Sequence, residues 1–410
     1  MDSLRKPMLR FSLIVLAIIM LSGCTKKNNL TGNNWSDTHA LSIDDKAGLI
    51  MGYSFPAETL SEIKGSEIKL LAGNYASATA ISYLRWTGLP KSATIATLEH
   101  ADSCYIELNL LKRSPLPRNP LKLQLYKINK AWNDTLSTIT DADLSIIPSA
   151  EYTVDDTISI VGKKIKLPLP ISAIYAWEST ADSTGWNLAI KAVNEGWVEI
   201  ASAEVSSGPS MYIKYKTDTT ATSFSTYSSK PAKDSYTLDA PLATASADWK
   251  IDNLTSKRMF VQFNPTTTLF KDTDGSQLDS LAIRRLTINK ATLVLHVKDN
   301  NYFTGASTFS LYPFNVVRDT VSALTPLVKA DYETIVWTVS SLGLVVGDSV
   351  EIDITPIIQA YTSGDKSPKG IMIQSLQERQ NFGYLEFWDC FTADSTKQPY
   401  VRIKYTPPFL

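Results

Sequence analysis

The sequence predicts an all-β protein, two tandem β-sandwich or jelly-roll domains behind an N-terminal leader and a short tether. Three observations predict it. A set of short motifs recurs in the same order at spacings of 186 to 195 residues. Apolar and polar residues alternate or nearly alternate in stretches such as Leu293–Val297 and Val350–Ile354, the period of a half-buried strand. Amphipathic helices are scarce, the best candidate being the turn and a half from Pro356 to Tyr361, with proline at its start where a missing N–H is tolerated.

Composition sets the outer bounds. The chain has 410 residues, 44% hydrophobic and 20% charged, enough for two domains that each bury a core. Forty basic against 41 acidic side chains leave a net charge of −1. That excludes the surface excess of positive charge a nucleic-acid binder needs. Three histidines, His39, His100 and His296, leave little for histidine catalysis or a transition-metal cage.

The first element is an address. Arg5, Lys6 and Arg10 precede an apolar run, Phe11 to Met20, that is too short to span a membrane. Leu21-Ser22-Gly23-Cys24 then resembles a bacterial lipobox, which implies removal of residues 1–23 and lipidation of Cys24. Acyl chains on that cysteine would make a lasting membrane anchor. Thr25 follows in place of an inner-membrane retention aspartate, so a cell-envelope, outer-membrane location is expected. Residues 24–46, polar and rich in Asn, Gly, Ser and Thr, read as the tether.

The body is a duplication. Pro209-Ser210-Met211-Tyr212-Ile213-Lys214-Tyr215 answers Pro399-Tyr400-Val401-Arg402-Ile403-Lys404-Tyr405, and Gly196-Trp197-Val198-Glu199-Ile200 answers Gly383-Tyr384-Leu385-Glu386-Phe387. Ala96-Thr97-Leu98, Leu125-Tyr126 and Pro170-Ile171 recur as Ala291-Thr292-Leu293, Leu311-Tyr312 and Pro356-Ile357. The expected domains are 47–216 and 236–410, joined by a Ser/Thr-rich linker, 217–235. Cys104 and Cys390 fall in different halves; a disulfide would staple the halves together, and two separate buried thiols is the other reading.

The run Val350 to Tyr361, with Gly370-Ile371-Met372-Ile373-Gln374-Ser375 and the closing Pro399 to Tyr405, resembles the DNRLRE-type domain. The resemblance covers both halves and is clearest in their second parts. It implies extracellular β-sandwiches of a family that includes carbohydrate-binding modules. The first half departs from it, with Ile165-Lys166-Leu167-Pro168-Leu169-Pro170 in place of the Asp-Ile-Thr segment.

Nucleophile-elbow, zinc-protease, phosphate-loop and dinucleotide patterns are absent from the sequence, and a non-enzymatic role is expected. Glu199 and Glu386 occupy matching positions, and both are expected on solvated strand faces. In Tyr384-Leu385-Glu386-Phe387-Trp388 a period of two places Tyr384, Glu386 and Trp388 together, opposite Leu385 and Phe387. Flat rings flanking a carboxylate suit a sugar, whose C–H faces stack on aromatics while its hydroxyls meet polar groups. Trp132 and Trp177, in loop-like surroundings, and Trp197, the counterpart of Tyr384, are further glycan-binding candidates. Asp272, Asp274, Ser276 and Asp279 form an oxygen-rich turn in which a structural calcium or a plain acidic turn is expected. The expected partner is therefore an extracellular polysaccharide or cell-wall glycan, with the membrane reached through the lipid. The alternative is a structural, adhesion or scaffold lipoprotein with protein partners.

Overall fold

The structure, a computed structural model, describes residues 40–45, 49–58, 67–87, 101–114, 119–130, 132, 139–155, 162–173, 186–216, 220–241, 243–263, 267–300, 309–318, 326–334, 340–342, 347, 349–365 and 370–408. The expected signal peptide, Cys24 and most of the tether lie outside these residues. Among the described residues the chain is all-β, built as two large antiparallel sheets of eleven and twelve strands, one curled into a half-barrel.

In chain order the strands fall into four groups. Two lead, β1 (Leu41–Asp45) and β2 (Leu49–Pro56). Nine follow: β3 (Lys69–Tyr75), β4 (Ala78–Trp86), β5 (Ala101–Arg113), β6 (Leu121–Ile128), β7 (Leu144–Val154), β8 (Lys163–Pro168), β9 (Trp186–Ala192), β10 (Gly196–Ala201) and β11 (Ser210–Tyr215). Then come β12 (Ser225–Ser229) and β13 (Lys233–Asp239). The last ten are β14 (Trp249–Asp252), β15 (Lys257–Phe263), β16 (Thr287–Asn300), β17 (Phe309–Val316), β18 (Tyr332–Glu333), β19 (Ser340–Leu342), β20 (Ser349–Asp353), β21 (Gly370–Ser375), β22 (Tyr384–Phe387) and β23 (Tyr400–Thr406). Two short helices, α1 (Ser280–Arg284) and α2 (Thr355–Ser363), interrupt the last group.

Sequence pattern and burial agree in the strands whose alternation was read from the sequence. In β5, Cys104, Ile106, Leu108 and Leu110 turn inward while their neighbours do not, as a period of two requires. Val350 and Ile352 do the same in β20. The expected helical turn is α2, with Pro356 in its first turn, Ile357 and Ile358 buried, and Gly364 closing it at φ 79°. Trp86, the last residue of β4, is fully buried.

Both sheets follow one path. The first runs β12-β11-β5-β10-β3-β4-β9-β6-β7, with β13 on β4 and β8 on β5. The second runs β1-β23-β16-β22-β14-β15-β21-β17-β18, with β2 on β15 and β20 on β16. These orders correspond place for place, β18 and β19 together standing where the first sheet has the long β7. The duplication read from scattered motifs thus extends to the whole pairing scheme.

One feature of the pairing departs from the expected division. β1 and β2 precede the first group, yet they pair with β23 and β15 of the second sheet. β12 and β13 precede the last group and pair with β11 and β4 of the first sheet. Each leading strand pair therefore serves the sheet of the other repeat. Residues 217–235, expected as a solvated linker, supply β12 and the start of β13. Their Ser/Thr-rich composition belongs to an edge strand, paired on one side and half-exposed along its length.

The two repeats also meet through side chains. Phe382, just before β22, stacks on Trp197 of β10 at 5.6 Å between ring centroids and 10° between planes, and Tyr75 meets its edge at 6.4 Å. The Tyr236 hydroxyl donates to the Arg379 carbonyl at 3.1 Å.

Candidate functional site

β22 runs between β14 and the end of β16, in register Lys250↔Glu386 on one side and Asp299↔Glu386 on the other. Leu385 and Phe387 are buried, and Tyr384, Glu386 and Trp388 turn to the opposite, partly exposed side. The neighbouring strands supply charge to that face. Lys298 reaches Glu386 Oε1 at 2.5 Å and stands 5.6 Å from the centre of the Trp388 ring. Lys250 lies 3.8 Å from the centre of the Tyr384 ring, and the Tyr384 hydroxyl donates to Asp299 Oδ2 at 2.7 Å. The carboxylate bond raises the Lys298 ammonium above its ordinary range, while burial first, and then the Asp299 carboxylate, hold the Tyr384 phenol protonated.

Beyond the strand the chain forms a pinned loop. The Trp388 N–H donates to the His296 carbonyl at 3.0 Å, the Phe391 N–H to Asp389 Oδ1 at 2.9 Å, and Gln398 Nε2 to the Thr392 carbonyl at 3.0 Å. Lys397 stands 5.1 Å from the Trp388 ring on this side. Between strand and loop lies a groove of about 250 Å³ whose walls include Asp248, Lys298, Glu386, Trp388, Asp389 and Phe391. Phe391 is 78% exposed, an unusual position for a large apolar ring. Rings, carboxylates and an ammonium therefore share one shallow opening.

The other candidates do not join this face. Trp197 is wholly buried on Phe382, because the second repeat covers the outer side of β10. Trp132 is also buried, its ring 5.8 Å from Tyr83. Trp177 lies outside the described residues.

The acidic turn closes on itself. Asp274 accepts from the Ser276 N–H at 2.8 Å, Asp272 from the Thr273 N–H at 2.7 Å, and Asp279 caps α1 through the Ala282 N–H at 2.7 Å. One oxygen of each of these carboxylates accepts from a backbone N–H, and among the described residues no three His, Cys, Asp or Glu side chains converge as metal ligands. Cys104 and Cys390 are separate free thiols, and burial pushes each up to about 12.

Glu199 differs from the solvated position expected for it. It is buried, 3.2 Å from Lys69 and directly across the ladder from Lys112. Desolvation lowers Lys112 to about 7, against the raising effect of Glu199. A second buried pair, Arg258 with Glu378, is bidentate at 2.8 and 3.0 Å and is joined by the Tyr332 hydroxyl at 2.8 Å. These residues are 120 apart in sequence, and no local pattern announces their meeting. The first repeat has its own groove of about 250 Å³, mostly apolar, between Ile146, Ile147 and Pro148 on β7 and Pro170 and Ala173 beyond β8.

No protein-family model matches the chain, and no curated protein matches it.

Proposed function

We propose that this is a non-catalytic, lipid-anchored protein of the bacterial outer membrane whose second repeat binds an extracellular polysaccharide or cell-wall glycan. Its two repeats are read as DNRLRE-like β-sandwiches, and Cys24 as the lipidated residue. The observation that carries the binding reading is the outward face of β22, where Glu386 and Trp388 border the groove with Lys298 and Phe391 and Tyr384 lies on the same face beside it. An aromatic floor accepts the apolar face of a sugar ring, and the flanking carboxylates and ammonium accept and donate to its hydroxyls. The bonds from the Phe391 N–H to Asp389 and from Gln398 to the Thr392 carbonyl hold the loop backbone in advance, which reduces the ordering entropy that opposes binding.

The test is affinity electrophoresis of the chain from Thr25 onward against a polysaccharide panel. Retardation by one polymer class is expected, abolished in Trp388→Ala and unchanged by chelator. No retardation by any polymer would remove this reading and leave the scaffold or adhesion role, which pull-down of defined protein partners from membranes would then address.

A further inference from the structure

We infer that residues 41–58 are an exchangeable strand clip, able to leave their own second sheet and seat on that of another copy, so that two chains join by swapping the segment. Among the described residues every backbone ladder of β1 and β2 is made with the second sheet: Leu41↔Tyr405 through Asp45↔Val401, and Leu49↔Phe263 through Pro56↔Lys257. The Ala57 N–H donates to the Ser256 carbonyl, and the Glu58 carboxylate accepts from the Lys329 N–H at 2.8 Å. Among the described residues no ladder joins the clip to the first sheet, and the chain runs on from Glu58 to β3. The contacts are therefore the same whichever chain supplies the clip.

The seat is specific. Tyr53 and Phe55 are buried and close an apolar cluster with Phe260, Phe314, Val316 and Met372. The Ser54 hydroxyl lies between strands, donating to the Asp248 carbonyl at 2.5 Å and accepting from the Lys250 N–H at 2.8 Å. Gly52 lets β2 approach Trp249, because a Cβ there would lie 2.5 Å from the indole. β12 and β13 make the corresponding seat on the first sheet, with Tyr236 and Leu238 buried where the first clip has Tyr53 and Phe55. A strand pair docking on a sheet that is not its sequence neighbour is thus the rule for both repeats.

When closed and exchanged forms share their contacts, effective concentration decides between them. A short connection holds the clip at an effective concentration on the order of 1 mM, so ~100 µM of a second chain captures roughly a tenth of the seats.

The experiment uses two tagged chains from Thr25 onward, one carrying Ser42→Cys and the other Lys404→Cys. These exposed positions face each other across the β1–β23 ladder. After incubation together and mild oxidation, a disulfide-linked heterodimer is expected whose yield grows with concentration. Gly52→Val in the Ser42→Cys chain should reduce that yield about tenfold, since the added side chain overpacks against Trp249. The Ser42→Cys/Lys404→Cys chain should form the bond within one molecule when dilute. Absence of the heterodimer, or a heterodimer that Gly52→Val leaves unchanged, overturns the exchange. Failure of the dilute double variant to close overturns the seat itself.

Discussion

Strands β10 and β22 hold the same place in the two sheets and carry the same pattern of glycine, aromatic, aliphatic, glutamate and apolar residue, yet one is sealed and the other open. All six residues of β10 are buried, whereas β22 alternates. Trp197 stacks on Phe382, and its counterpart Tyr384 lies beneath the Lys250 ammonium at a partly exposed face. Glu199 is buried against Lys69, and Glu386 meets Lys298 near solvent. Phe382 itself comes from the chain that leads into β22. The second repeat thus closes the face of the first and keeps its own free, so a duplicated strand has become a seam in one copy and a candidate binding face in the other.

The sharpest way to break this comparison is to truncate the matching aromatic faces. Trp197→Ala should lower stability by ~3 to 5 kcal/mol, the range for deleting a wholly buried large side chain. Trp388→Ala, at the partly exposed face, should change it by less than ~1 kcal/mol. Urea unfolding of both variants measures the gap. Equal losses would mean that the two faces are equally structural.

A second difference is electrostatic. Lys112 has a folded-state value near 7, below its unfolded one, because burial disfavours the ammonium. Between about pH 7 and 10 the unfolded chain therefore binds more protons at this site than the folded chain does, and stability rises with pH. The slope from one such group is at most ~1.4 kcal/mol per pH unit. Asp234, also in the first sheet, is raised by burial to about 6, so its stabilisation is present below the ordinary carboxylate range and lost as pH climbs to about 6. Unfolding free energies measured from pH 7 to 9.5 should show the rising slope in the parent chain and lose it in Lys112→Met. A slope retained in that variant would place its source elsewhere.

The sequence made the strand alternation legible because it is local: side chains two apart share a face, and Leu385 and Phe387 are buried as that period requires. The duplication was legible from motifs for the same reason, and the shared strand order follows it. What could not be read was pairing across the chain. Ser225 to Ser229 resemble a linker in composition, and nothing within Leu49 to Pro56 names β15 as its partner. The binding candidates divided along the same line. Trp388 turns to the partly exposed side that the period of its strand indicates, whereas the burial of Trp197 is set by Phe382, 185 residues away. The burial of Trp132 is likewise illegible locally, because loop-like neighbours do not determine whether a ring finds Tyr83.

The smallest expected effect tests the open face most finely. Lys298 and Glu386 have side chains 44% and 22% exposed, so their ion pair is screened and worth well under 1 kcal/mol, unlike the enclosed Lys69–Glu199 pair. Lys298→Met should therefore shift stability by about 0.5 kcal/mol or less, with the shift fading as salt is added. Its effect on binding should depend on the polymer. The substitution releases the Glu386 carboxylate to sugar hydroxyls and removes an ammonium from beside the Trp388 ring. Retardation by a neutral polysaccharide should then persist or increase, whereas that by an acidic one should weaken, because Glu386 would face the groove without Lys298 while Asp248 keeps Lys257 at 3.1 Å. Identical behaviour of neutral and acidic polymers in parent and variant would show that the charged rim takes no part, and would confine recognition on this face to its aromatic rings.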